Sequence, residues 1–92
     1  MSTVQPKELR EAFQRNLKGR RHELGLSQEE VAQRAGVDQT YISDLEMGKK
    51  RPLIDSLANL ATALDTTPSA LLSSPFADPS PENSSENSLQ PS

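Results

Sequence analysis

Apolar residues along the chain recur at intervals of three and four, and no stretch shows the strict alternation of a half-buried strand. Leu9, Phe13, Leu17 and Leu24 trace one helical face. Pro6 suits the first turn of that helix, and Glu8 and Glu11 complement its dipole. Gly25 supplies a left-handed stop, over which Leu26 can fold back. Gly19, inside the helix, costs about 1 kcal/mol relative to alanine. Ser27 and Glu30 have the spacing of a capping box opening a second helix, with Val31, Ala32 and Ala35 as its apolar stripe and Gly36 as its end. Val37 is expected to be buried. Asp38 is expected to cap a third helix, which Ile42 and Leu45 anchor and Gly48 stops. Beyond the turn at 49–52, a fourth helix is predicted over 54–64 with Ile54, Leu57, Ala58, Leu60, Ala61 and Leu64 as its apolar positions. Thr67 and Pro68 open a short fifth helix carrying Ala70, Leu71 and Leu72. The prediction is an all-α fold of five helices forming one domain over 6–73.

The second and third helices span only two or three turns each, and the small residues Ala32, Ala35 and Gly36 permit a close, steep crossing. That is the pattern of a helix-turn-helix, here over about 28–47, whose second helix can enter the DNA major groove. At 100° per residue, with Ile42 and Leu45 inward, Thr40, Ser43, Asp44 and Met47 point outward and Gln39 and Tyr41 lie on the shoulders. Gln39 suits bidentate contact to adenine N6 and N7. Thr40 and Ser43 can donate or accept, and the Thr40 methyl can meet a thymine methyl. Taken alone, this face fits exposure to water equally well.

Charge shifts that balance. The 92 residues carry a net charge of −3, which argues against nucleic acid at first sight. Residues 1–73 nevertheless hold all ten Lys and Arg against ten Asp and Glu, so the deficit comes entirely from Asp78, Glu82 and Glu86. A neutral body can carry a basic face. Lys49, Lys50 and Arg51 directly follow the candidate reading helix, and Gln28 and Glu29 open the second helix, where free backbone N–H groups favour phosphate. Arg20 and Arg21 end the first helix and offer further cations. Residues 74–92, rich in Ser, Pro, Asn and Glu, have too little apolar content to offset their ordering entropy. They are expected to form a disordered acidic tail, serving as a solubilising extension or an interaction segment.

The segments "GLSQEEVA", "AGVDQTYIS" and "LEMGKKRP", followed by "SLANLATALDTTPSALL", together resemble the lambda-repressor-like, xenobiotic-response-element (XRE) family of bacterial and phage regulators, including its Cro-type members, over about residues 9–72. The resemblance implies a five-helix lambda-repressor-like DNA-binding domain. It implies that Gln28 contacts a phosphate and braces Gln39, and that Gln39, Thr40, Ser43 and Asp44 approach base edges. It makes Arg21 and Glu46 a partly buried structural salt bridge. Tyr41 falls where relatives pack a residue at the helix edge that sometimes reaches the DNA backbone. With Tyr41, the expected backbone set is Gln28, Lys49, Lys50, Arg51 and Arg20. Several positions depart from the family pattern. Leu53 stands where a Ser or Thr usually caps the fourth helix, Asp65 and Thr66 replace a Gly and a small aliphatic residue, and Arg20 falls where an apolar residue is common. Asp44 brings a negative charge to the DNA face, where it can accept from cytosine N4 or exclude wrong sequences.

Catalysis finds no support. His22 is the only histidine, the chain has no cysteine, and no nucleophile–base set, metal-ligand cluster or phosphate-cradling glycine loop occurs. No cofactor or metal is expected. No apolar run approaches the roughly 20 residues needed to span a bilayer, so a cytoplasmic, nucleoid-associated protein is the expectation. The reading is a sequence-specific transcriptional regulator, expected to act as a repressor and possible autoregulator. It would bind a double-stranded, palindromic DNA operator as a homodimer through the helix at 39–47, with contact to RNA polymerase if it activates. The dimer contact is expected from the fifth helix and the end of the fourth, around Leu71 and Leu72, the alternative being that those leucines belong wholly to the core. The competing reading is a protein-interaction or antitoxin-like adaptor module of the same fold.

Overall fold

The computed structural model describes residues 5–73. The expected tail at 74–92 lies outside the described residues. Five helices follow one another: α1 (Pro6–Glu23), α2 (Gln28–Ala35), α3 (Gln39–Glu46), α4 (Ile54–Ala63) and α5 (Pro68–Leu72), with no strand among the described residues. The all-α, five-helix expectation is met.

The core is a single cluster built from every helix: Phe13 and Leu17 from α1, Val31 from α2, Ile42 and Leu45 from α3, Leu60 from α4 and Leu71 from α5. Each such side chain contributes about 1.5–3 kcal/mol by leaving water. Small residues complete the packing. Ala32 and Ala35 are buried where α2 meets α3 and α4, and Ala12 and Ala63 are buried as well.

Four helices close with the same bond. An N–H two or three residues past the helix end returns to the carbonyl five positions earlier: Leu26 to Arg21, Val37 to Ala32, Lys49 to Asp44 and Thr66 to Ala61. The closure needs one left-handed residue each time. Gly25, Gly36 and Gly48 supply it in the first three, and Asp65, at φ 54°, does so in the fourth. Asp is among the few side chains that tolerate this region, which accounts for the departure noted at that position.

Several expectations are corrected. Leu9 and Leu24 leave the core stripe of α1, being 39% and 37% exposed, and Ala12 takes the buried place. An 18-residue helix spans about 27 Å, more than twice the length of α2 or α3, so its ends outrun the short helices that could cover them. Ile54, in the first turn of α4, is 79% exposed. Ala58 and Ala70 are exposed, Val37 is half-buried against the core, and α4 ends at Ala63 instead of 64. Asp38 occupies the cap position of α3 without a side-chain capping bond, whereas Ser27 with Glu30 and Thr67 cap α2 and α5 through their side chains.

Candidate nucleic-acid interface

The helix pair α2–α3 is tied to α1 by one partly buried ion pair. Arg21 donates from Nε to Glu46 Oε2 at 2.6 Å and from Nη2 to Oε1 at 2.8 Å, while Nη1 donates to the Leu26 carbonyl at 3.1 Å. The two side chains are only 11% and 4% exposed. Gln28 adds a third donor, with Nε2 3.1 Å from Glu46 Oε1. Burial pushes the Glu46 carboxyl up, but the hydrogen bonds from Arg21 and Gln28 outweigh it and hold it below the ordinary value of 4.5. The Glu46 bond raises Arg21 in turn, against the opposing effect of its burial. One carboxylate thus joins the end of α1, the start of α2 and the end of α3. The amide nitrogen of Gln28 engages Glu46 instead of bracing Gln39.

Outside this lock, α3 presents Gln39 and Thr40 to solvent and Ser43 at half burial. The Ser43 hydroxyl donates to the Met47 sulfur at 3.6 Å, and Met47 is itself 58% exposed. Asp44 is less open than an outward residue would be. Its side chain is 19% exposed, with Lys50 Nζ 3.7 Å from Oδ2. Lys50 also lies 5.9 Å from the centre of the Tyr41 ring, at the outer range of a cation–π contact. The negative charge on this face therefore comes with a counter-cation. Tyr41 packs against the core, and its hydroxyl accepts a long bond from the Leu53 N–H at 3.4 Å, tying the start of α4 to α3. Leu53 makes no capping bond of its own.

At the start of α2, Ser27 Oγ accepts from the Glu30 N–H at 3.0 Å, and the Glu30 carboxylate accepts from the Ser27 N–H at 2.8 Å. The bond from the Ser27 N–H, with the nearby Ser27 hydroxyl, holds the Glu30 carboxyl below its ordinary value. The first-turn N–H groups of Gln28 and Glu29 remain as outward donors, as in any helix start. Lys49, Lys50 and Arg51 are exposed.

Arg20 lies against carbonyls of the fold itself. Its Nε donates to the Leu64 carbonyl at 2.8 Å and its Nη2 to the Asp65 carbonyl at 3.1 Å, with Glu23 3.3 Å from Nη1. A guanidinium held on the C-terminal carbonyls of α4 is part of the scaffold, where it complements the helix dipole and the left-handed turn at Asp65. Sequence reading also missed two groups. Asn16 donates to the carbonyls of Leu71 at 2.9 Å and Ser73 at 2.6 Å, closing the end of α5. Lys7 and Arg10, at the other end of α1, line a cavity together with Lys50 and Arg51. These arrangements join residues forty or more positions apart, and no local pattern announces them.

A family model described as helix-turn-helix, HTH_3, matches residues 7–71. The chain belongs to this XRE-type helix-turn-helix family. A curated relative from Sinorhizobium fredii, named an uncharacterized HTH-type transcriptional regulator, y4dJ, is 50% identical over 44 residues, covering 48% of this chain and 57% of the relative. The match thus spans little more than half of that relative's length. Among solved structures of similar proteins, the restriction-modification controller protein C.AhdI of Aeromonas hydrophila is 35% identical. It aligns over 67% of this chain and 94% of its own, with a TM-score of 0.65. The hypothetical transcription factor NHTF from Neisseria is 31% identical over 82% of this chain and 88% of its own, with a TM-score of 0.71. The clp gene regulator ClgR of Corynebacterium glutamicum is 33% identical over 70% and 83%, with a TM-score of 0.65. The Arg21–Glu46–Gln28 network ties α2 and α3 to the end of α1.

Proposed function

We propose that this HTH_3 protein is a sequence-specific DNA-binding transcriptional regulator that reads an operator with α3 in the major groove. The observation that carries this is the exposed polar edge of α3, Gln39 and Thr40 with Ser43 beside them, on a helix tied to α1 and α2 by partly buried hydrogen bonds. Rigid presentation matters because a bidentate contact to a base, worth about 1–3 kcal/mol of discrimination, tolerates little misplacement. Gln39, Thr40 and Ser43 read bases. Asp44, with Lys50 at its side, discriminates against sequences that offer it no donor. Gln28 with the α2 N-terminus, Lys49, Lys50 and Arg51 hold phosphates. The Tyr41 hydroxyl, which accepts from Leu53, still has its own hydrogen to give to one.

A unit of this size reads few base pairs, so the protein acts as a two-fold dimer with reading helices about 34 Å apart on a palindromic site. It represses where that site overlaps a promoter, its own included, and touches RNA polymerase where it activates. Leu71, 1% exposed, belongs to the core and offers nothing to a second copy. Being a DNA-bound regulator, it works at the nucleoid.

The test begins with the DNA upstream of its own gene, searched for an inverted repeat and footprinted. Gel shifts on that repeat and on random DNA then compare Gln39→Ala and Ser43→Ala with the parent protein. Each substitution is expected to lower the preference for the repeat by about 5- to 150-fold, the equivalent of about 1–3 kcal/mol. Unchanged preference in both would remove α3 from recognition and favour a protein-binding adaptor role.

A further inference from the structure

The cations at 49–51 do not stand alone. The turn that carries them lies against the N-terminal half of α1, so closely that a Cβ at Gly48 would collide with the Gln14 amide. This contact creates two adjoining cavities. One, of about 230 Å³, is lined by Lys7, Arg10, Lys50 and Arg51, with Glu11 as its one carboxylate. The other, of about 620 Å³, is lined by Arg10, Lys49, Lys50 and Arg51 beside Tyr41, and no carboxylate is among its lining residues. Five cations from segments forty residues apart thus converge, and Arg10 is the member shared between α1 and both cavities. The neighbouring Glu8 carboxylate is engaged by the Gln5 N–H at 3.3 Å. Among the described residues neither Lys7 nor Arg10 forms an ion pair, while Arg20 and Arg21 at the far end of the same helix both do.

We propose that Lys7 and Arg10 form a second phosphate clamp, so that duplex DNA leaving the reading helix continues across the basic turn onto the first turns of α1. This rests on the DNA-binding reading above. It adds a sequence-independent contact beyond the segment that α3 covers, lengthening the footprint of each subunit along the sugar–phosphate backbone. The convergence of charge favours it: a strip of cations on two elements, continuous with the Tyr41 edge of α3, matches a polyanion that extends past one groove. A single small anion would need only one of the two cavities.

The experiment needs no operator. Binding of the full-length protein to a mixed-sequence 30-bp duplex is measured across a salt series for the parent, Arg10→Gln, Lys7→Gln/Arg10→Gln and Arg15→Gln. Arg15 lines a separate cavity between α1 and α5 and serves as the charge-matched control. Each phosphate contact contributes about 0.9 to the slope of log K against log salt. Arg10→Gln is therefore expected to flatten the slope by about 0.9 and the double variant by about 1.8, with Arg15→Gln unchanged. If the lines meet near 1 M salt, the double variant binds about 60-fold more weakly at 0.1 M. Circular-dichroism melts confirm folding, and the charge-preserving Lys7→Arg/Arg10→Lys variant is expected to retain the parent slope. An unchanged slope in the folded double variant, or an equal loss in Arg15→Gln, overturns the clamp while leaving the reading helix intact. A parent protein showing no salt-dependent binding to any duplex overturns both.

Discussion

The two ends of α1 carry the same kind of residue and use it in opposite ways. At the C-terminal end Arg20 and Arg21 turn inward, one onto the carbonyls that end α4 and the other onto Glu46. At the N-terminal end Lys7 and Arg10 look outward into a groove shared with the basic turn. A count of charges treats the four alike. What separates them is whether an acceptor waits within the fold: a guanidinium that meets buried acceptors becomes scaffold, and one that meets other cations is left to find its anion elsewhere.

The comparison is broken most forcefully at Arg21. Arg21→Ala leaves a carboxylate that is 4% exposed with only Gln28 for company, and breaking such a pair costs about 3–5 kcal/mol. Chemical denaturation should show a loss of this size. Arg21→Met/Glu46→Leu, which removes both charges, should recover most of it, since a buried pair can often be replaced by apolar packing. Should Arg21→Ala melt like the parent, the inward end of α1 would hold no more than its outward end.

The same network sets an acid limit. Glu46 has a folded pKa below 4.5, so near that value the unfolded chain binds more protons than the folded one, and stability rises with pH. The contribution is fully present above the unfolded value and disappears as pH falls through the lowered folded value. Glu46→Gln should melt at a lower temperature than the parent near neutrality, with the gap narrowing below about pH 4.5. A constant gap across that range would mean that the carboxylate charge is not what holds the helices.

Arg20 ranks next. Hydrogen bonds to charged groups contribute about 1.5–3 kcal/mol when well made, and Arg20, about a third exposed, should fall toward the lower end. Arg20→Ala is expected to lower stability by about 1–2 kcal/mol while leaving the salt slope of DNA binding as it was. A flattened slope instead would put Arg20 on the DNA backbone and return it to the outward class.

What could be read along the chain was whatever chemistry resolves within one helical turn. Ser27 with Glu30, Thr67 before Pro68, and the glycines at 25, 36 and 48 set helix ends through bonds to residues three to five positions away. The inward places of Ile42 and Leu45, and the exposure of Gln39 and Thr40, follow from periodicity alone. The exposure of Leu9 and Ile54 depends on how far neighbouring helices reach, which no apolar stripe records. The acceptors of Arg20 are carbonyls 44 and 45 residues away, present only once α4 has ended where it does. Arg21 and Glu46, 25 positions apart, are linked in the sequence only by family resemblance. Lys7 and Arg10 escaped notice because they join a basic cluster only through tertiary packing.

The smallest expected effect lies on α1 itself, between the two sets of cations. Gly19 sits inside α1, one residue before the inward-turning arginines, and a Cβ built there meets nothing within 4 Å. The backbone is helical, so alanine can adopt the native conformation while narrowing the unfolded ensemble. Gly19→Ala should raise stability by up to about 1 kcal/mol, or about 4–8 °C in melting temperature for a domain of this size. It adds no charge and removes none, so the salt slope should not change. This variant therefore separates two roles for the helix. A stabilised protein with unaltered DNA binding means that α1 acts as a rigid bar holding its inward and outward cations in fixed relation. A stabilised protein that binds the mixed-sequence duplex more weakly means that the bar has to bend at Gly19 for Lys7 and Arg10 to reach the backbone.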